Sequence, residues 1–308
     1  MDSSILFKGV ISMQNAVEKF KTNYRLQRKL IIVLFTIVPV VLLLVFAYLP
    51  LVKMIQYSLT DWDGISAHSN FVGLQNYKTV LTNPQYVQVF KVSLYYFAVS
   101  IIQLALAMLL AVILSFKVKF PNLWKGLIFF PYLINGVAIG FIFLYFYKQN
   151  GTLDTIMKFF GLNSWIKLWM GNRSTNNWAI AFTSLWRYTG YNFLLFLGAI
   201  QSVDPQIYEA ADMDGANKWQ QFRYIMFPAI REIFLVNVIL SVSGSLSAFD
   251  TPYIMTNGAN GTSTFVIQTI NTAFKFNKLG LASAMAIVLL IIILIVTLIQ
   301  RVVTRERD

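Results

Sequence analysis

Asn237, Ser241 and Ser245 recur at every fourth residue of an otherwise apolar stretch, EIFLVNVILSVSGSLSAFD. On a helix they share one face, with Gly244 and Ala248 beside them and Ser243 and Ser247 in a neighbouring stripe. Hydroxyls and amides both donate and accept hydrogen bonds, so such a face suits a neutral, hydroxyl-rich solute such as a sugar. The same small residues would also let two helices pack closely, and both roles stay open. A second constellation, LWRYTGYNF, supplies Trp186, Arg187, Tyr188, Tyr191 and Asn192, with Arg187 and Tyr191 four residues apart. Aromatic faces stack on the apolar faces of sugar rings, while Tyr and Asn heads bond hydroxyls. An aromatic core with Arg187 in a structural salt bridge is the alternative. An arginine in an apolar segment needs a partner, and Asp250 or a carboxylate of a neighbouring chain would serve.

Covalent and metal chemistry find little support. His68 is the only histidine, it stands in a loop motif, and cysteine is absent, so no metal site and no disulfide is expected. No Gly-x4-Gly-Lys-Ser/Thr loop is present to hold a nucleotide phosphate. Glu232 and Asp250 lie at the ends of apolar segments and no carboxylate pair lies inside one, which argues against an intramembrane hydrolase and an ion-coupled carrier. No catalytic residue is expected, and any energy used must come from another chain.

These residues must be positioned by membrane helices. The chain has 308 residues, is 57% hydrophobic and 12% charged, and has a mean hydropathy of +0.61. The apolar residues fall in blocks, as in an integral membrane protein. Six segments stand out, at about 30–52, 92–116, 124–147, 178–200, 232–249 and 281–300, predicting an all-α protein with six transmembrane helices. The fifth is marginal against the roughly 20 residues a crossing needs. The first, 30–52, is too long for a signal-peptide core of about 7–15 residues and reads as an uncleaved span. Residues 1–29 read as an amphipathic cytoplasmic tail and 301–308 as a second cytoplasmic tail. Lys and Arg are in excess on the side holding both tails, which places both termini in the cytoplasm. The net charge of +12 follows from that bias, and no basic run interleaved with polar sequence suggests nucleic acid. Gly/Asn/Asp clusters mark turns in the outer segments, and Trp62, Trp165, Trp169 and Trp178 suit an interfacial belt.

Between the fourth and fifth segments lies QSVDPQIYEAADMDGANKWQQFRYIMFPAI, 201–230. Asp204-Pro205 reads as a helix cap and first turn. Ala210 and Ala211 allow close docking, Gly215 can end the helix, a second short helix carries Trp219, Phe222 and Tyr224, and Pro228 opens the next span. A polar, structured elbow of this kind needs something to bind.

Here the chain resembles the permease subunits of binding-protein-dependent ABC importers. EAADMDGANKWQQFRYIMFP resembles their cytoplasmic EAA loop: Glu209-Ala210-Ala211, then Gly215, then Phe227-Pro228. FVGLQNY (71–77), FLGAIQSVDPQIYEAA and FDTPYIMTNG (249–258) are similar to the carbohydrate-uptake branch of the maltose and glycerol-3-phosphate type. The resemblance covers about 30–300 and implies the type I importer permease fold, with a permease domain over those residues and the EAA loop at 201–231. It implies that the elbow, including Glu209, Ala210, Ala211, Asp214, Gly215 and Pro228, seats as a coupling helix in an ATPase subunit. It implies two ATPase copies that use ATP and Mg, a second six-span permease, an extracytoplasmic sugar-binding lipoprotein, and no cofactor on this chain. Carried over by distance from the motifs, the family's sugar contacts fall near Tyr191, Ser241, Ser245 and Ala248. Ala248 has no hydrogen-bonding group where the maltose type has one. The ending QRVVTRERD points to the first-type permease. The expected function is ATP-driven import of a sugar or oligosaccharide across the membrane. The alternatives are a permease for a polyol or phosphodiester, and a self-contained channel or secondary carrier.

Overall fold

The structure is a computed structural model that describes residues 24–116 and 118–304. Expectations for the tail before residue 24 and for residues 305–308 lie outside the described residues. Helices and loops account for what is described, with one isolated antiparallel bridge between Thr60 and Phe71.

Two compact units divide the chain at Gln56. The described part of the first is α1 (Tyr24–Leu43), a π-helical turn at Leu44–Tyr48, and most of α2 (Leu49–Ser58). Its apolar side chains, among them Leu34, Phe35 and Phe46, are exposed along the whole length. A helix apolar all round belongs in lipid or against another chain.

The second unit begins with a polar loop and the short helices α3 (Gln75–Thr82) and α4 (Pro84–Gln88). Asn76 ties that loop down by donating to the carbonyls of Ser58 and Thr60 at 2.9 and 2.8 Å. Next come α5 (Phe90–Ser115), α6 (Pro121–Leu133), α7 (Gly136–Phe146), α8 (Thr152–Phe159) and α9 (Asn176–Gln201). The chain continues through α10 (Pro205–Met213), α11 (Lys218–Gln221) and α12 (Phe227–Leu246) to α13 (Asp250–Thr256), α14 (Phe265–Ile270) and α15 (Leu279–Thr304). At 26 residues each, α5, α9 and α15 run about 39 Å, longer than a hydrocarbon core of about 30 Å. The central core is α9 laid along α5 and joined by α12. Leu104, Ala107 and Ala111 meet Phe193, Phe196 and Ile230 there, all nearly or fully buried. The alanines let the two long helices approach closely. Asn176 and Asn177 anchor the start of α9 by donating to the carbonyls of Asn260 and Gly261.

The structure revises three expectations. Among the described residues, four helical runs are long and apolar enough to cross a membrane: Gln27–Ser58, Pro84–Ser115, Lys218–Thr256 and Leu279–Val302. A fifth is reached if α6 and α7 count as one span. The third segment, expected as one span at 124–147, is instead this pair, bent by 94°. Pro131 removes a backbone donor inside α6, Ile134 and Asn135 turn extended, and the Asn135 side chain accepts from the Val137 N–H at 2.9 Å to start a new helix. The fourth segment forms α9 but falls outside the apolar set, because its inner face buries Asn176, Asn177, Thr183, Thr189 and Asn192. The second helix of the elbow forms, but it is not separate from the span that follows. α11 runs into α12 through a π-helical turn at Phe222–Met226, in which the Phe227 N–H reaches back to the Phe222 carbonyl. The widened turn accommodates Pro228 without breaking the helix.

Candidate functional site

Two polar features stand out: the elbow between α9 and α12, and a cavity among α5, α9, α12 and α13.

The elbow is built from neighbouring residues. The Asp204 carboxylate accepts from the Gln206 N–H at 2.9 Å, and Pro205 is the first helical residue of α10. None of α10 is buried. Gly215 holds φ +76°, a left-handed conformation that suits glycine, and the Ala216 N–H closes the helix end on the Ala211 carbonyl at 2.9 Å. Asn217 and Gln220 then cap α11 reciprocally, at 2.9 and 2.7 Å. The Asp212 carboxylate draws the two arms together, accepting from Lys218 at 3.3 Å and from the buried Gln221 amide. Tyr208 donates to the Ile200 carbonyl at 3.3 Å, and its partial burial raises the phenol pKa. Glu209, Ala210, Asp214 and Gly215 are exposed, Ala211 half-buried. Exposed Ile207, Met213, Trp219 and Tyr224 surround them. An exposed apolar group with polar residues among it marks an interaction surface.

The cavity encloses about 390 Å³, within the roughly 300–1,000 Å³ of small-molecule sites. Of the residues singled out above, Tyr188, Tyr191, Asn192, Asn237, Ser241, Ser245 and Asp250 line it, as do Gly244, Ser247 and Ala248. Trp186 and Arg187 do not. Trp186 lies on another face of α9 and meets Phe143, with ring centroids 5.2 Å apart. Arg187 turns its guanidinium onto Gly136 at the bend between α6 and α7, where a Cβ would lie 2.6 Å from Nη1, and over the Tyr188 ring at 5.1 Å. The expected pair with Asp250 is not formed. The Arg187 Nε is buried without a hydrogen bond, and the ion pair among the described residues is Lys218–Asp212. Tyr191 already stacks on Tyr132, centroids 4.8 Å apart, so one of its faces is taken.

The stripe on α12 is partly self-satisfied. Asn237 donates to the Ile233 carbonyl and Ser245 to the Val242 carbonyl, each at 2.8 Å. Both keep lone pairs, so this wall offers acceptors. Asp250 is the only lining residue with a formal charge at neutral pH.

Sequence reasoning missed an entire wall. Tyr96, Ser100 and Gln103 of α5 line the cavity, and Ser184 of α9 and Thr251 of α13 join them. The signal was present in KVSLYYFAVSIIQLALAMLL, where Ser93, Tyr96, Ser100 and Gln103 recur at intervals of three, four and three on one helical face.

No group of three or more His, Cys, Asp or Glu that could hold a metal occurs among the described residues. His68 is exposed in the polar loop before α3.

Residues 103–307 match the family described as "Binding-protein-dependent transport system inner membrane component". The probable ABC transporter permease protein YurN of Bacillus subtilis is 33% identical, over 89% of this chain and 96% of its own length. The arabinooligosaccharides transport system permease protein AraP of Bacillus subtilis is 32% identical, over 86% of each chain. In the crystal structure of a bacterial alginate ABC transporter in complex with alginate pentasaccharide-bound periplasmic protein, one chain superimposes with a TM-score of 0.80. That match covers 91% of this chain and 96% of the other, and at 17% identity it is a likeness of fold.

Proposed function

We propose, proceeding from the fact that this chain belongs to the family of binding-protein-dependent transport system inner membrane components, that it carries a sugar or oligosaccharide through the membrane as the permease subunit of an ATP-driven importer. The observation that carries the sugar assignment is the cavity wall. Tyr188, Tyr191, Asn192, Asn237, Ser241 and Ser245 offer aromatic surface and neutral hydrogen-bonding groups, and Asp250 is its only formal charge. A phosphodiester would meet one carboxylate and no cation there, because Arg187 is turned away. An open-chain polyol would make little use of the aromatic surface. The relatives support the same class, since AraP is named for arabino-oligosaccharides.

In this reading six crossings are made, counting α9 and the bent α6–α7 pair, and both termini are cytoplasmic. The chain pairs with a second permease and two ATPase subunits, and an extracytoplasmic binding protein delivers the sugar. The likeness to a transporter solved with a periplasmic protein supports that last partner. The elbow seats in the ATPase, with Glu209 making polar contacts, Gly215 shaping the turn and Ala210 and Ala211 allowing close approach. ATP closure of the ATPases is passed through it to α9 and α12, which line the cavity, and so alternates access. ATP and Mg belong to the ATPase chains.

The test is purification from native membranes in mild detergent, with mass spectrometry of what accompanies the chain. An ATPase and a second permease in the complex, with ATP hydrolysis stimulated by a sugar-loaded binding protein, are the expected result. Recovery of the chain alone or only with copies of itself overturns the importer assignment in favour of a channel or carrier.

A further inference from the structure

The two sides of the cavity differ in what their polar atoms are already doing. On α12, Asn237 and Ser245 donate to carbonyls of their own helix. On α5, the Gln103 side chain is 6% exposed, lines the cavity and has no hydrogen bond among the described residues. Two turns earlier on the same face, Tyr96 is also 6% exposed and lines the cavity, and its hydroxyl has no partner. Ser93, nearly one turn further, has an unpartnered buried hydroxyl too. Asn192 on the adjoining wall is buried with its amide equally unengaged.

Leaving the buried Tyr96 and Ser93 hydroxyls without a partner is costly. An apolar side chain of similar size would have packed without that cost. A membrane helix that keeps an unengaged glutamine and tyrosine on one face, both at a cavity, holds them for something that enters it.

We propose that the α5 face carrying Tyr96 and Gln103 is a second solute-binding wall that meets the hydroxyl oxygens of a neutral carbohydrate and sets selectivity among such sugars. This rests on the sugar-permease assignment above. The division of labour is chemical. On the α12 wall Asn237 and Ser245 have each committed a donor to their own helix and keep lone pairs, so they accept from sugar hydroxyls, while Ser241 stays free to do either. Tyr96 and Gln103, with Asn192, have free donors and give to sugar oxygens. A hydroxyl does both at once, so a sugar ring bridging the two walls satisfies each in its own sense. An apolar solute would leave the donors unmade. A carboxylated one would bring its charge towards Asp250.

The experiment uses the complete transporter in proteoliposomes with its binding protein and radiolabelled maltotriose, arabinotriose and lactose as probes. The variants are Tyr96→Phe and Gln103→Leu, with Ser245→Leu as the variant that obstructs the cavity whatever α5 does. Loss of one hydrogen bond to the solute corresponds to a rise in KM of about fivefold to tenfold for the transported sugar, with kcat largely kept. The rise should differ between the three sugars. Tyr96→Phe removes an oxygen that has no partner in the protein, so a purely structural tyrosine predicts an equal or higher melting temperature and an unchanged KM. A raised KM with an unlowered melting temperature is therefore specific to binding. If Ser245→Leu blocks uptake while both α5 variants keep the parental KM, the second wall is wrong and the cavity stands. If Ser245→Leu also transports normally, the cavity itself is wrong. If the parent protein moves none of the three sugars, the carbohydrate assignment falls and the α5 wall with it.

Discussion

The elbow and the cavity both interrupt an apolar chain with polar residues, and they are held in opposite ways. α10 buries nothing, and the turn after it is shaped by bonds between near neighbours: Asp204 to Gln206, Asn217 to Gln220, Asp212 to Lys218 and Gln221. Its outward residues, Glu209, Asp214, Met213 and Trp219, are exposed. The cavity reverses this. Its walls come from α5, α9, α12 and α13, brought together by a core of Ala107, Ala111, Phe193, Phe196 and Ile230, and its polar groups face inward. A locally folded feature can change conformation without unpacking the helices, which suits a connector. A feature assembled from several helices changes shape only when those helices move, which suits a gated path. The elbow lies directly between α9 and α12, two of the cavity's walls, and under the proposed function a push on it is passed to them.

The largest expected effect falls on the connector. Gly215→Asp adds a carboxylate beside Asp212 and Asp214, at a left-handed position that Asp, like Asn, can adopt at some cost. No atom lies within 4 Å of where its Cβ would stand, so the helices should pack as before. Uptake should be abolished while the protein still inserts and assembles, measured as transport against yield of complex. Gly215→Asn should retain much of the activity, since asparagine tolerates this conformation. Normal ATP-dependent uptake by Gly215→Asp would break the comparison.

Next in size are the cavity variants. Ser245→Leu should obstruct it and reduce kcat strongly. Tyr191→Ala should raise KM by about tenfold or less, since an aromatic contact contributes about 0.5–1.5 kcal/mol. Neither should lower the yield of the complex, and unchanged uptake kinetics in both would remove them from the path. Smaller again is Asp204→Ala. Loss of the cap should cost α10 about 0.5–2 kcal/mol, seen as faster hydrogen exchange at the Gln206 and Ile207 amides with a partial loss of coupling. Unchanged exchange would mean that the helix is held by something other than its cap. The smallest is Trp186→Phe. It keeps an aromatic ring against Phe143 and lies outside the cavity, so KM should stay at the parental value. A shift in KM would show that the path extends beyond the cavity walls.

Legibility in the sequence follows the same division. Asp204-Pro205 as a cap and Gly215 as a left-handed stop could be read directly, because caps and turns are chemistry between residues a few positions apart. Asn237, Ser241 and Ser245 could be placed on one face because helical periodicity is also local. The α5 face was spelled in the same periodicity, but Gln103 is a single polar residue deep in an apolar run. Only the packing of α9 and α12 beside it shows that it meets a cavity rather than lipid.

The sequence by itself determined that the chain is helical, apolar in long blocks, and interrupted by a capped polar elbow. Composition, period and turn residues act over one or two turns of chain. Tertiary structure alone decided the 94° bend between α6 and α7, the seating of Arg187 on Gly136 rather than opposite Asp250, and the choice of cavity walls. Those depend on which helix faces meet. In a protein whose helices are apolar on most sides, many faces could meet, and close packing of small residues over their full length selects among them.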